Sequence, residues 1–140
     1  MDDELEYLRQ KRAQERLAEI ERKASFQGVV PLSEITFNTF LSENRFAVVD
    51  FWAEWCGPCK RVAPVIEALS HEMAGLVAFG KCNTDEAPGI ARQFNITAIP
   101  TIILYANGKM IDRVTGAVPK ETLHSVILRA FGLPPGAEPV

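Results

Sequence analysis

The stretch VVDFWAEWCGPCKR, residues 48–61, decides how this chain folds. Its first half belongs to FAVVDFW, 46–52, which is apolar on both alternating sets of side chains. That is the pattern of a central parallel strand covered on both faces. Its second half opens a helix from about Gly57. Val62, Val65, Ile66, Leu69 and Met73 recur at helical spacing and mark the buried stripe. Pro58 is tolerated in the first turn, whereas Pro64 lies inside and is expected to kink the helix. Strand, turn and helix therefore meet at Cys56-Gly57-Pro58-Cys59, with the carboxylate of Asp50 set into the apolar run just upstream.

Working outward, GVVPLS from Gly28 reads as a short edge strand, because Pro31 cannot donate to a ladder. Ser33 is expected to cap a helix bearing Phe37, Phe40 and Leu41 on one face. LVAFGKCN is a third strand and APGIARQF a short helix. TIILYANGKMIDRVTG is a hairpin turning at Asn107-Gly108. PKETLHSVILRAFG is a final amphipathic helix with Leu123, Val126, Ile127 and Ala130 inward, stopped by Gly132. The order is βαβα, then βα, then ββα. This is α/β: a mixed central β-sheet with helices on both faces.

Residues 1–25 have a different texture, with seven acidic and six basic residues and no Gly or Pro. Leu5 and Leu8, and Ala13, Leu17, Ile20 and Ala24, fall at helical spacing, and Glu19 to Lys23 is a favourable i, i+4 pair. A charged helix with a thin apolar stripe is expected, closed by Gln27-Gly28. The division is an extension at 1–27, one domain at 28–132 and a Pro-rich tail at 133–140. The extension reads as a solvated helix, as a segment docked on its own domain, or as a tether to a partner.

The chain has 140 residues, 47% hydrophobic and 24% charged, with a net charge of −3. Its pI is about 5.4, which argues against nucleic acid as the main ligand. No apolar run approaches the ~20 residues that span a bilayer. The first 25 residues lack the apolar core of a secretory signal and are too acidic for a mitochondrial transit segment. A cytoplasmic location is expected. There thiols stay reduced, and a close cysteine pair is catalytic or metal-binding rather than a structural staple.

A Cys-x-x-Cys between a strand and a helix is a redox arrangement. Backbone N–H groups at a helix N-terminus lack partners, and the helix dipole favours negative charge there, so a Cys56 thiolate is stabilised. Lys60 and Arg61 in the same turn add to this. The competing reading is half of a zinc site. A closed site needs two more ligands, and only Cys82, His71 and His124 remain, without paired spacing. No metal is expected. If Asp50 is buried, desolvation raises its pKa and equips it to move protons near neutral pH. The alternative is that it faces solvent at a strand end. Cys82 follows Lys81 on the third strand, so it points to the opposite face and reads as a small buried hydrophobe.

VDFWAEWCGPCK closely resembles the active-site signature of the thioredoxins. The likeness runs from about Gly28 to Phe131 and includes AIPT at 98–101, NG at 107–108 and VTGAV at 114–118. It implies the thioredoxin fold and a protein-disulfide reductase, an electron carrier in cell redox homeostasis. Its only redox group would be the Cys56–Cys59 disulfide, with no other cofactor. Cys56 would be the exposed nucleophile and Cys59 the buried resolving thiol. Asp50 would serve proton transfer to and from Cys59, and Lys81 would tune it. Pro100 would be a cis-proline against the pair, with Ile99 offering backbone groups to an extended target. Trp55, Gly57, Pro58, Ile99, Pro100 and the Thr115-Gly116-Ala117 turn would form the docking surface. Trp52 would buttress it, or simply pack in the core. Gly57-Pro58 is the reducing type of dipeptide, which disfavours an oxidant or isomerase. Implied partners are disulfide-containing proteins and a thioredoxin reductase, with no nucleic acid or membrane, acting on a monomer. The alternative function is an interaction module of this fold, tethered by its N-terminal helix, with redox chemistry secondary.

Overall fold

A computed structural model of the chain describes residues 2–24 and 28–135, and side chains 3–18 of the first helix. The expected helix stop at Gln27, the stripe positions Ile20 and Ala24, the Glu19–Lys23 pair and tail residues 136–140 lie outside the described residues. Ten elements follow in chain order: α1 (Asp2–Ala24), β1 (Val29–Leu32), α2 (Phe37–Glu43), β2 (Phe46–Trp52), α3 (Gly57–Glu72), β3 (Ala78–Asn83), α4 (Pro88–Gln93), β4 (Thr101–Ala106), β5 (Lys109–Thr115) and α5 (Lys120–Phe131). The sheet order is β1-β3-β2-β4-β5. The β1–β3 and β2–β3 pairs are parallel, and β2–β4 and β4–β5 antiparallel.

Period-2 alternation along β2 builds two cores. Ala47, Val49 and Phe51 join Phe37, Phe40 and Leu41 of α2, Ile90 of α4, Cys82, Ile103 and Tyr105 on one face. Val48 joins Val62, Ile66 and Leu69 of α3, Leu123, Ile127 and Phe131 of α5, and Ile102 and Leu104 on the other. Each fully buried Val, Leu, Ile or Phe among them contributes ~1.5–3 kcal/mol of hydrophobic stabilisation. Close packing also dictates Gly80, where an added Cβ would lie 2.7 Å from Leu32 Cδ1.

The ends of the elements follow local chemistry. Asn107 and Gly108 take φ of 53° and 81°, the positive values a two-residue hairpin turn requires. Gly132 is left-handed, and Gly132 N–H to Arg129 O with Leu133 N–H to Leu128 O closes α5. Helix α3 runs unbroken through the exposed Pro64.

The expected cap at Ser33 needs correction. α2 starts at Phe37 and its N-cap Thr36 makes no side-chain cap bond. Ser33 Oγ instead accepts from Ile35 and Thr36 N–H, capping the turn that leads into the helix. Residues 3–18 of α1 are exposed, Leu5, Leu8 and Leu17 included.

Candidate active site

The C-terminal ends of β2 and β3 and the start of α3 converge on the cysteine pair. Cys56 is the extended N-cap of α3, and its sulfur accepts the Cys59 backbone N–H at 3.2 Å. The sulfurs are bonded, with Cα atoms 5.3 Å apart. Among the described residues no His, Cys, Asp or Glu cluster offers three or more metal ligands. Ala53 O accepts the Cys56 N–H at 3.2 Å, and Ala53 packs with both cysteines, Trp52 and Ile99.

Cys56 was expected to be exposed, but only 4% of it is, against 3% for Cys59. Ile99 causes the difference: its carbonyl oxygen lies 3.8 Å from the Cys56 sulfur, and its side chain packs on the pair. The Ile99–Pro100 bond is cis. Pro100 O accepts the Gly116 N–H at 2.8 Å, tying the Thr115-Gly116-Ala117 turn to the same locus. Gly116 has φ 95°, a conformation that suits glycine. Around the buried sulfurs, Trp55, Gly57, Pro58, Thr115 and Ala117 are exposed and Ile99 is half-buried.

Asp50 does not face solvent. It is buried on the sheet face that α3 covers, opposite Lys81 on β3 and Ile102 on β4. Desolvation pushes its carboxyl up to about 7, against a smaller downward pull from Lys81. Among the described residues its Oδ1 has no hydrogen-bond partner. The Lys81 ammonium lies 5.6 Å from the centroid of the half-buried Trp52 ring. Cys82 lies on the opposite face, fully buried against Phe37 and Phe51. Burial first, then Glu34 and Glu86, push its thiol up to about 11.

Residues 28–129 match the thioredoxin family model. This chain belongs to the thioredoxin family. It is 50% identical over 96 residues to "Thioredoxin M-type, chloroplastic" of Spinacia oleracea, covering 68% of this chain and 53% of that protein. It is 44% identical over 97 residues to "Thioredoxin" of Synechocystis sp., covering 69% and 91%. The solved structure of a mutant thioredoxin from Halobacterium salinarum superposes with a TM-score of 0.71 at 28% identity, covering 77% and 95%. The chain thus spans about half the length of the chloroplastic relative and most of the cyanobacterial one. Thioredoxins are protein disulfide oxidoreductases, and the bonded Cys56–Cys59 pair is consistent with that chemistry.

The expected cytoplasmic location is overturned. Several matched relatives, from spinach, Arabidopsis thaliana, Pisum sativum and Oryza sativa, are named as chloroplastic, while others are cyanobacterial thioredoxins.

Two contributors escaped the sequence reading. One is Ala53, through its backbone carbonyl. The other is Asp85, whose Oδ2 accepts the Trp55 indole N–H at 2.9 Å. The available signal was the turn sequence Asn-Thr-Asp-Glu at the C-terminal end of a parallel strand, where ligands gather in α/β sheets.

Proposed function

We propose that this protein reduces disulfides in other proteins through its Cys56–Cys59 dithiol. One observation carries the reading: Cys56 caps the N-terminus of α3, and the N–H of Cys59 in the first turn is directed at its sulfur. In the reduced protein that N–H and the helix dipole favour a Cys56 thiolate. The thiolate attacks one sulfur of a target disulfide, and the other target sulfur leaves as a thiolate and takes a proton. Cys59 then passes its proton to Asp50 and attacks the Cys56 sulfur, releasing the target's second thiolate. The target gains two electrons, and the protein is left with the Cys56–Cys59 disulfide. A thioredoxin reductase returns two electrons and closes the cycle.

Asp50 suits the proton step because its carboxyl titrates near neutral pH. Lys81 restrains that rise. Trp55, Gly57, Pro58, Ile99, Thr115, Gly116 and Ala117 form the docking surface, the buried Pro100 lies beneath it rather than on it, and Trp52 supports it from the sheet side. Residues 28–132 carry the activity as a monomer, and the extension and the 133–140 tail are dispensable for it. The acidic charge balance favours protein over nucleic acid as partner.

The test is the reduction potential of the pair, from equilibration in defined thiol–disulfide buffers, acid quench, alkylation and mass spectrometry. The expected midpoint is near −270 mV, the family's characteristic value rather than one calculated from this geometry. A midpoint ~100 mV higher places the protein among oxidants and isomerases and contradicts the proposal.

A further inference from the structure

Helix α4 runs into the loop that carries Ile99 over the Cys56 sulfur. The helix ends in a left-handed turn. Asn95 has φ 52°, its N–H donates to Arg92 O at 3.1 Å, and Ile96 N–H donates to Ala91 O at 2.9 Å. Neither bond uses the carbonyls of Phe94 and Asn95. One side chain takes both: Arg113 Nη2 donates to Phe94 O, and Nη1 to Asn95 O at 3.4 Å. Arg113 pairs with Ile103, which packs in the core under α2 and α4, so strand alternation sends the arginine to the face that α4 covers. A guanidinium presents its N–H groups as a fixed fork, and a cation is favoured at a helix C-terminus. Nη2 also lies 3.6 Å from Met110 Sδ, which keeps the group against its own strand.

The far end of the loop is fastened to the exit of the same strand, where Gly116 N–H donates to Pro100 O at 2.8 Å. Thr101 Oγ1 donates to Ala98 O at 2.5 Å. Between these fastenings Thr97 and Ala98 are exposed, so the backbone there is held by its ends rather than by packing. We propose that Arg113 is a positioning residue for target docking. Its grip on the Phe94 and Asn95 carbonyls fixes the loop that presents the Ile99 backbone to a protein target. This rests on the reading of the chain as a protein-disulfide reductase. A loop already held need not be ordered by the target, so the gain falls on association. The sulfur exchange itself is untouched, because the hydrogen bonds of the guanidinium go to two carbonyls and a thioether and none to a cysteine.

The experiment uses the full chain as wild type, Arg113→Met and Arg113→Lys. Methionine keeps an unbranched apolar stem and has no donor, whereas lysine keeps a cationic donor for one carbonyl. The substrates are insulin and the small disulfide 5,5′-dithiobis(2-nitrobenzoate), which needs no extended docking segment. With Arg113→Met, KM for insulin is expected to rise about 2- to 10-fold, the effect of a segment that must be ordered on binding. kcat and the rate with the small disulfide do not fall. The NMR order parameter of the Ile99 backbone N–H drops. In the reduced protein, iodoacetamide labels Cys56 faster as its cover loosens, while Cys82 stays protected. Arg113→Lys lies between wild type and Arg113→Met in KM and in the order parameter.

An unchanged KM, or an Ile99 N–H as ordered as in wild type, overturns the proposal. So does an equal loss with both substrates. So does labelling of Cys82 that rises with that of Cys56, since Arg113 would then support the whole fold and not the loop. So does an Arg113→Lys variant as defective as Arg113→Met. A wild-type chain that leaves insulin intact overturns the functional reading, and this inference with it. An active wild type with any of the other outcomes overturns this inference alone.

Discussion

Cys56 and Cys82 are almost equally hidden, at 4% and 0% exposure, yet their surroundings differ in every respect that governs sulfur chemistry. Cys56 caps a helix, accepts a backbone N–H and is bonded to Cys59. Cys82 sits mid-strand among Leu32, Phe37, Phe51 and Ile103. Its thiol is pushed up to about 11 by apolar walls and by the carboxylates of Glu34 and Glu86. Burial by itself therefore does not make a sulfur inert or reactive. What decides is whether the groups around it favour negative charge, and only Cys56 has such groups.

The same contrast separates the two faces of the sheet. Asp50 and Cys82 lie on neighbouring central strands, but strand alternation sends Asp50 under α3 and Cys82 under α2 and α4. One face carries a carboxyl tuned near neutrality, and the other carries a filler.

The sharpest way to break the contrast is to remove each sulfur in turn. Cys56→Ser is expected to abolish insulin reduction, while Cys59→Ser accumulates mixed disulfides visible on non-reducing gels. Cys82→Ala leaves the rate within about 2-fold and costs ~1 kcal/mol in urea unfolding, as a small core truncation does. A Cys82 variant as inactive as Cys56→Ser would erase the distinction.

Asp50→Asn comes next, and insulin turnover at pH 7 is expected to slow by at least about 10-fold. Stability should move the other way. A carboxyl raised from 3.8 to about 7 in the native state binds its proton more tightly there than in the unfolded chain. Wild-type stability therefore falls as pH rises through that window and levels off above it. Urea melts at pH 5 and pH 8 should show this fall in wild type and a flatter profile in Asp50→Asn. The variant gains at most ~4 kcal/mol at pH 8. Equal slopes would mean that Asp50 is not held neutral by burial.

The smallest effect is expected from deleting residues 1–27. The side chains of residues 3–18 of α1 are exposed, so insulin reduction is expected to stay within about 2-fold. A large loss would make the extension part of the working surface.

Most of the scaffold was legible because each signal is local. FAVVDFW is apolar on both sides and becomes the central strand; Asn107-Gly108 turns the hairpin; Pro31 sits on an edge; Gly132 ends α5. The cysteine pair and Asp50 were also visible, but whether Asp50 was buried was not, since that depends on α3 folding over the sheet. Features set by distant segments were hidden. Cys56 is covered by Ile99, 43 residues away, and Trp55 is anchored by Asp85, 30 residues away. Ser33 misled because one hydroxyl suits a turn and a helix start equally well.

The central claim is that the N-terminus of α3, and not exposure, sets the reactivity of the sulfurs. Its most direct test is residue-resolved alkylation of the fully reduced native protein with iodoacetamide at pH 7, read by mass spectrometry. The account predicts that Cys56 is modified within minutes, while Cys82 stays unmodified until the protein is unfolded. Equal labelling of the two, or a Cys56 as inert as Cys82, would contradict it.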